Sequence, residues 1–241
     1  LRKFMPDLES IYYFCRKVDD IGDLDKGVAL DELSNLENSL LNCFDGNLDE
    51  NNEYFNLMKT IVKYGLPIEE FQKLIKANYQ DLEVKRYKTF EDLIKYCELS
   101  ANPVGSLVLR IFGDFNQSNL ILSNNICTGL QIINFIQDIN RDSKLGRIYI
   151  PINDFKDFNL DENDIFEYKS SIELREMIKF QCERTKKIIN DGGPLVRVLN
   201  GSKKIPISLF IQSGNLVLSK IKKINYDTLN IRPKVSKFEK S

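Results

Sequence analysis

Apolar residues recur at every third or fourth position along most of this chain, which is the period of an amphipathic helix. Glycine and proline interrupt the pattern at Asp45-Gly46, at Gly65 and at Gly192-Gly193-Pro194. Between such turn signals the sequence predicts helices over residues 6–23, 31–44, 52–64, 68–84, 90–113, 119–141, 161–167, 172–191 and 207–224. No pair of strands is indicated. We therefore predict an all-α fold, an antiparallel helical bundle around a central cavity, built as one domain over residues 1–241.

Two segments depart from regular helix. Segment 146–151 is β-branched and ends in proline, so we expect it to be extended. Pro103 lies inside the predicted helix 90–113, where proline removes a hydrogen bond and kinks the backbone. We expect Asn102 and Gly105, together with the small residues beside them, to line a cavity at this kink. The alternative is two separate helices joined at Asn102-Pro103.

A pair of aspartates marks the predicted helix 119–141. Asp138 and Asp142 are four residues apart, and Asn134 precedes them by another four, so all three lie on one face. Two carboxylates stacked in this way repel each other. A cation bound between them would relieve that cost.

The N-terminal helix repeats this arrangement. Asp19 and Asp23 are four apart, and Tyr12 and Arg16 continue the same stripe towards the N-terminus. If the two carboxylate-bearing helices face each other, they form a site for Mg²⁺, which prefers oxygen ligands and commonly shares them with phosphates. The alternative is that both pairs lie on solvated helix faces.

Composition removes several classes of function. The chain carries 34 basic and 35 acidic residues, whereas nucleic-acid binding is typical of proteins with a basic face. It contains no histidine, which excludes histidine-dependent nucleophilic triads and histidine metal sites. Its five cysteines are widely spaced and form no CxxC motif, so we expect reduced thiols rather than a zinc site or a disulfide framework.

Three stretches resemble a known family. Residues 12–23 and 129–151 resemble the aspartate-rich motifs of the squalene/phytoene synthases, the head-to-head trans-prenyltransferases. A third stretch, at 96–113, reads YCELSANPVGSLVLRIFG and is most similar to the bacterial hydroxysqualene synthases, the squalene synthases of the hopanoid route. The resemblance implies the isoprenoid synthase fold. Family members usually carry a segment before the position of Leu1, so we expect that the sequence lacks an N-terminal segment.

The resemblance also implies a chemistry. Mg²⁺ held by Asp19, Asp23, Asp138 and Asp142 would bind the diphosphate of a prenyl substrate, with Arg16 and Arg232 adding hydrogen bonds. Aromatic residues such as Tyr12, Phe14 and Tyr96 would stabilise the carbocation through their ring faces. Further residues could contact the substrate or position water; these are Asn102, Gly105, Asn134, Gln137 and Tyr149. In the family, a run comparable to Asp81 with Arg86-Tyr87 borders the active site. Here the run could equally form an ion pair at a helix end.

The implied reaction is the ionisation of presqualene diphosphate and the capture of the cation by water, which gives hydroxysqualene. One alternative is a phytoene-type or presqualene-diphosphate-forming synthase that condenses two prenyl diphosphates such as farnesyl diphosphate. Another is a non-catalytic helical scaffold of the same fold. No apolar run reaches the roughly 18–20 residues of a transmembrane span, so we expect a cytoplasmic protein whose contact with the inner membrane face, if it makes one, is peripheral.

Overall fold

The computed structural model describes residues 1–233 of the chain. The described part contains thirteen α-helices and two short 3₁₀ turns, with no strand beyond one isolated bridge. The helices are α1 (Met5–Gly22), α2 (Lys26–Asp45), α3 (Phe55–Tyr64), α4 (Ile68–Glu83), α5 (Phe90–Ser100), α6 (Asn102–Phe112), α7 (Gln117–Gln137), α8 (Ile139–Lys144), α9 (Ile152–Asp157), α10 (Asn163–Phe166), α11 (Ile172–Gly192), α12 (Leu195–Val198) and α13 (Lys204–Lys223). The predicted all-α class is confirmed.

The chain divides into two compact units that each draw on two parts of the sequence. The first unit comprises Leu1–Val84 and Glu98–Asn124, and the second comprises Lys85–Cys97 and the residues from Asn125 onward. The predicted single domain over 1–241 stays a prediction, and its last residues, 234–241, lie outside the described part.

The first unit packs α1, α2, α3, α4 and α6 around an aromatic and aliphatic core. The rings of Phe14 on α1 and Phe71 on α4 meet edge to face, with their centroids 5.2 Å apart. Both are fully buried, and burying such a side chain is worth about 1.5–3 kcal/mol. The buried stripe of α1 is Ile11, Phe14, Val18 and Ile21. This stripe leaves the positions of Tyr12, Arg16, Asp19 and Asp23 exposed to solvent.

Two glycines end helices as the sequence predicts. Gly46 follows α2 with φ of 72°, and Gly65 follows α3 with φ of 57°. Both lie in the left-handed region, which costs glycine little because it has no Cβ. The turn signals in the sequence therefore place the ends of both helices correctly.

The proposal of one kinked helix over 90–113 is wrong, and the alternative of two helices is correct. Helix α5 ends at Ser100, and Ala101 takes φ of −130° and ψ of −46° before α6 begins. Pro103 then occupies the first turn of α6, where its missing N–H leaves no intrahelical bond unmade. Asn102 and Gly105 are both buried in this turn.

The prediction of one continuous helix over 119–141 is also corrected. Helix α7 ends at Gln137, and α8 begins at Ile139, with Asp138 between them at φ of −107° and ψ of 15°. The backbone hydrogen bonds from Asp138 N to Asn134 O and from Asp142 N to Asp138 O persist across the break. Asp138 and Asp142 thus keep one helical turn of separation although the regular helix is interrupted.

Close contacts hold the second unit together around α7. A Cβ built on Gly129 of α7 would lie 2.3 Å from Cγ1 of Ile189 on α11. A Cβ on Gly214 of α13 would lie 2.9 Å from Cδ2 of Leu130, which is also on α7. Glycine at both positions therefore lets α11 and α13 approach α7 more closely than any other residue would allow.

Segment 146–151 is extended, as the sequence predicts, but its partner was not predicted. Ile148 N donates to Lys85 O at 3.1 Å, and Ile152 N donates to Tyr87 O at 2.9 Å. Arg86 and Ile148 form an isolated parallel bridge. The segment that follows the second aspartate pair is thus fixed to the segment that precedes α5. Within residues 1–233, no helix combines the length and the apolarity of a transmembrane span.

Candidate active site

The first aspartate pair lies at the C-terminal end of α1. Asp19 is exposed at the surface, yet the protein atoms around it partly desolvate its carboxyl and raise its pKa to about 6. Arg16 lowers this pKa, whereas the nearby carboxylates of Asp20, Asp23 and Asp81 raise it further. Negative charge at a helix C-terminus is also opposed by the helix dipole. A bound cation would relieve all of these costs together.

Asp81 of α4 joins this group of carboxylates and was not among the predicted ligands. Its side chain is buried, with 7% exposed. The close approach of α1 and α4 explains its position, because a Cβ on Gly22 would lie 2.2 Å from Oδ1 of Asn78, one turn before Asp81. The signal in the sequence was the run of Asp81 with Arg86-Tyr87. From the sequence alone, this run could either border the active site or form an ion pair at a helix end.

The other predicted residues of α1 lie on its solvent side. Arg16 forms an ion pair with Asp20 at 2.5 Å, and both side chains are more than half exposed. The ring of Tyr12 is 69% exposed. These side chains are therefore free of packing constraints that would prevent them from meeting a ligand.

The second aspartate pair surrounds the break between α7 and α8. Asp138 immediately precedes α8, and its side chain is only 15% exposed. Arg232 binds both carboxylate oxygens, through Nε to Oδ1 and through a terminal nitrogen to Oδ2 at 3.0 Å. This hydrogen bond raises the pKa of the guanidinium, and the negative charge of Asp142 contributes to the same shift.

Two more hydrogen bonds hold the C-terminal segment on the same helices. Gln137 donates its side-chain amide to the carbonyl of Pro233, and Asn140 donates to the carbonyl of Leu229 at 2.7 Å. We call Leu229–Pro233 the C-terminal strap. Of the predicted site residues, Asp138 and Arg232 are thus in direct contact, and Gln137 bonds the strap one residue beyond Arg232. Asn134 lies one turn before Asp138, exposed on α7.

Arg86 anchors the extended segment that follows Asp142. Its Nε donates to Oε2 of Glu162 at 2.5 Å, and a terminal nitrogen donates to the carbonyl of Gly146 at 2.6 Å. The guanidinium also lies over the ring of Phe166, 5.4 Å from its centroid. Arg86 therefore fixes the backbone of this segment. The sequence alone did not distinguish this role from that of an ion pair at a helix end.

Tyr96 and Tyr149 belong to a buried cluster of four aromatic rings. Phe135 stacks on Tyr149 with centroids 3.9 Å apart, and Tyr96 stacks on the same ring at 5.7 Å. Tyr87 completes the cluster at 5.9 Å from Tyr149. Both predicted tyrosines therefore contact each other, and the cluster is held on one side by the extended segment.

The donor set fits a magnesium ion of the usual protein kind. Within residues 1–233, no three histidine, cysteine or acidic side chains lie close enough together to hold a metal alone. Mg²⁺ typically binds to one or two carboxylates and takes its remaining ligands from water and substrate phosphates. Each pair, Asp19/Asp23 and Asp138/Asp142, supplies two carboxylates, which is the number that such a magnesium ion takes from the protein.

One cleft of the first unit lies away from the predicted site residues. It has a volume of about 750 Å³ and lies between α1 and α3, around Asp7, Ser10 and Lys63. None of the predicted site residues lines it. Asp7, which lines the cleft, accepts hydrogen bonds from Lys63 at 2.8 Å and from Tyr64 at 2.7 Å. These bonds join α1 to α3, so we assign Asp7 a structural role.

The chain as a whole is similar to several known proteins. The crystal structure of squalene synthase HpnC from Alicyclobacillus acidocaldarius superposes with a TM-score of 0.87 and 36% sequence identity, over 94% of this chain and 86% of that one. A hydroxysqualene synthase of Rhodopseudomonas palustris is 32% identical over 77% of this chain and 63% of its own length. A phytoene synthase of Arthrospira platensis is 28% identical over 96% of this chain and 79% of its own length. The squalene/phytoene synthase family model matches residues 3–239. The chain therefore belongs to the squalene/phytoene synthase family and has the all-α isoprenoid synthase fold.

Proposed function

We propose that this protein is a synthase that ionises presqualene diphosphate and captures the resulting cation with water to release hydroxysqualene and diphosphate. The observation that carries the proposal is the similarity to squalene synthase HpnC, at 36% identity over 94% of the chain. The hydroxysqualene synthase of Rhodopseudomonas palustris, at 32% identity over 77% of the chain, supports the same reaction. The reaction consumes water and needs no reductant.

We propose that Asp19, Asp23, Asp138 and Asp142 hold Mg²⁺ against the diphosphate of the substrate. When bound, the metal would neutralise the negative charge that develops on the leaving diphosphate. The raised pKa of Asp19, the helix-end position of the first pair and the mutual repulsion within each pair all support a cationic ligand at these carboxylates. Asp81 would add its charge to the first pair.

Arginines of the chain would bind the diphosphate directly. The guanidinium of Arg232 already lies on Asp138, and a guanidinium binds phosphate oxygens in the same two-point geometry as a carboxylate. We propose that Arg232 turns from Asp138 to the diphosphate when substrate and metal arrive. Arg16, exposed on α1 beside Asp20, would supply a second contact.

Aromatic rings would stabilise the carbocation, and polar groups would direct water to it. We propose that Tyr96 and Tyr149 present a ring face of their cluster to it, and that Tyr12 adds a ring from α1, each contact being worth up to about 2 kcal/mol when water is excluded. Asn134 and Gln137, on the α7 turn before Asp138, are the proposed positions for the attacking water.

The buried residues of α6 would shape the apolar wall. Asn102 and Gly105 are packed in its first turn, where a small residue leaves room beside the helix. We propose that this turn borders the prenyl chain.

A second candidate is the condensation of two prenyl diphosphates, as a phytoene-type or presqualene-diphosphate-forming synthase. It is favoured by the phytoene synthases, which align over as much as 96% of the chain. Both candidate reactions ionise a prenyl diphosphate, so both need the same diphosphate site.

Product analysis tests the proposal. The purified protein is given presqualene diphosphate, farnesyl diphosphate or geranylgeranyl diphosphate in turn, with and without Mg²⁺, and the extracted products are identified by mass spectrometry. We expect hydroxysqualene from presqualene diphosphate only when Mg²⁺ is present. Phytoene from geranylgeranyl diphosphate, with presqualene diphosphate untouched, would replace the first candidate by the second.

A further inference from the structure

One stretch of the second unit has a charge unlike that of the whole chain. Between Asp191 and Asp227 the sequence contains no acidic residue, whereas the chain overall has a net charge of −1. The stretch carries six basic residues: Arg197, Lys203, Lys204, Lys220, Lys222 and Lys223. It spans α12 and the whole of α13. A local excess of this size is an electrostatic signal for an anionic partner.

The same stretch exposes large apolar side chains. Val198 on α12 is 50% exposed, and Ile205, Leu209 and Phe210 on α13 are 52%, 48% and 53% exposed. Ile205 and Leu209 are four residues apart and so project from the same side of the helix. We call the group the α12–α13 patch; it comprises Arg197, Val198, Lys203, Lys204, Ile205, Leu209 and Phe210.

Helix α13 already has another apolar face that packs inside the protein. Ile207, Gly214, Leu218 and Ile221 are buried, and Gly214 lies against α7. The exposed residues of the patch are therefore not needed to hold the helix in place. Exposed apolar groups that adjoin basic ones mark an interaction surface rather than a core.

We propose that the α12–α13 patch binds the surface of an anionic lipid bilayer. A basic helix with apolar residues at its solvent face inserts those residues at the boundary of headgroups and acyl chains, while its lysines contact lipid phosphates. No described helix is long and apolar enough to span a bilayer, and the proposed contact is with the bilayer surface. This inference concerns where the protein works, and it holds for either candidate reaction.

A second copy of the chain is a poorer occupant. A symmetric contact through this patch would place the basic side chains of both copies in one interface, and the patch has no acidic residue to neutralise them. A bilayer containing anionic lipid supplies apolar volume and negative charge together, which matches both halves of the patch.

The chain offers a direct optical test because it contains no tryptophan. In Phe210→Trp the single indole reports the environment of the patch. Val62→Trp is the matched control, since Val62 is 69% exposed on α3 in the first unit. Both variants are mixed with vesicles of phosphatidylcholine alone or of equal parts phosphatidylcholine and phosphatidylglycerol. We expect the emission of Phe210→Trp to shift to shorter wavelength with the anionic vesicles only, and that of Val62→Trp to stay unchanged.

Co-sedimentation with the same vesicles separates the two contributions. Replacing Lys203 and Lys204 by Gln should weaken binding about 25-fold, near five-fold for each lysine, and added salt should weaken the wild type. Leu209→Ser should weaken binding with less dependence on salt. Circular dichroism confirms that each variant is folded.

Three results would overturn the proposal. They are equal spectral shifts for both tryptophan variants, a shift of Phe210→Trp that follows protein concentration and dimer formation without vesicles, and a shift produced by a soluble prenyl diphosphate alone. The last result would make the patch part of a ligand pocket. None of them depends on which product the enzyme makes.

Discussion

At the scale of single residues, the contact between Asp138 and Arg232 says most about how the second aspartate pair could bind a metal. The carboxylate is nearly buried at 15% exposure, while its partner is 47% exposed. Two-point pairing of this kind is charge-assisted and strongly oriented. The guanidinium thus holds the carboxylate in one orientation and occupies the oxygens that a metal would need.

This geometry predicts opposite effects of Arg232→Gln on two measurements. Without substrate, Mg²⁺ should bind more tightly than in the wild type, because it no longer competes with the guanidinium for Asp138. With substrate, turnover should fall about ten- to hundred-fold, since one charge-assisted contact to the diphosphate, of roughly 1.5–3 kcal/mol, is lost. Titration calorimetry with Mg²⁺ alone measures the first effect. Arg2→Gln, at an exposed position of the N-terminal turn, is the control.

Weaker binding of Mg²⁺ in Arg232→Gln would contradict this account, because it would mean that the arginine supports the metal site rather than competing with it. The sequence predicted both residues as parts of the site but not their contact. Spacing four apart on a helix is visible in a sequence, whereas a pair separated by 94 positions depends on the path of the strap.

At the scale of elements, Asp7 joins α1 to α3. Its carboxylate accepts hydrogen bonds from Lys63 and Tyr64 of α3. Burial alone would raise the pKa of Asp7, but these hydrogen bonds outweigh it, and the net pKa is lowered. A carboxyl whose pKa is lower in the folded state stabilises the fold above its unfolded pKa of about 3.9 and loses that contribution as the pH falls further.

We therefore expect Asp7→Asn to reduce the free energy of unfolding by about 1–3 kcal/mol at pH 7. The difference from the wild type should shrink as the pH falls below about 4, where the wild-type carboxyl is protonated as well. Urea unfolding across this pH range measures both effects. Glu9→Gln, on an exposed position of the same helix, should change little. A difference that stays constant with pH would show that the ionised form contributes nothing.

The glycines of α7 and α2 give a second prediction at this scale. Gly129→Ala should lower the thermal midpoint, because its Cβ would lie 2.3 Å from Cγ1 of Ile189, and overpacking of this kind typically costs about 1–3 kcal/mol. Gly27→Ala is the matched control, since nothing lies within 4 Å of its Cβ. It should be neutral or stabilise the protein by up to about 1 kcal/mol. Equal midpoints for the two variants would contradict the close approach of α11 to α7.

Sequence reasoning recovered the helices better than the breaks between them. Helix extents follow from periodicity and from glycine stops such as Gly46, which are local features. The break at Asp138 is not local, because the i to i+4 hydrogen bonds continue across it and no proline or glycine marks it. The pairing of 85–88 with 148–153 also escaped prediction, since each segment alone is too short to indicate a partner.

At the scale of the whole molecule, the decisive question is whether the two aspartate pairs act on one diphosphate. Each pair belongs to a different unit of the chain. Asp19→Asn and Asp138→Asn should each reduce Mg²⁺-dependent turnover about 100- to 1000-fold, which corresponds to roughly 3–4 kcal/mol of transition-state stabilisation. Asp19→Asn should hardly lower stability, because it removes a repulsive charge. Asp138→Asn also removes the partner of the half-exposed Arg232, so it should lower stability by no more than about 1 kcal/mol.

The double variant tests the coupling between the pairs. If both hold metal on the same leaving group, loss of one already disables it, and the double variant should be far more active than the product of the two single losses implies. Independent sites would instead give multiplied losses. Asp191→Asn, exposed at the end of α11, combined with Asp138→Asn provides the additive reference.

A buried structural ion pair would give a third pattern, a loss of about 3–5 kcal/mol in stability for a single variant. Turnover and thermal midpoint measured on the same set of variants separate the three, and single variants with wild-type turnover would remove the carboxylates from the mechanism.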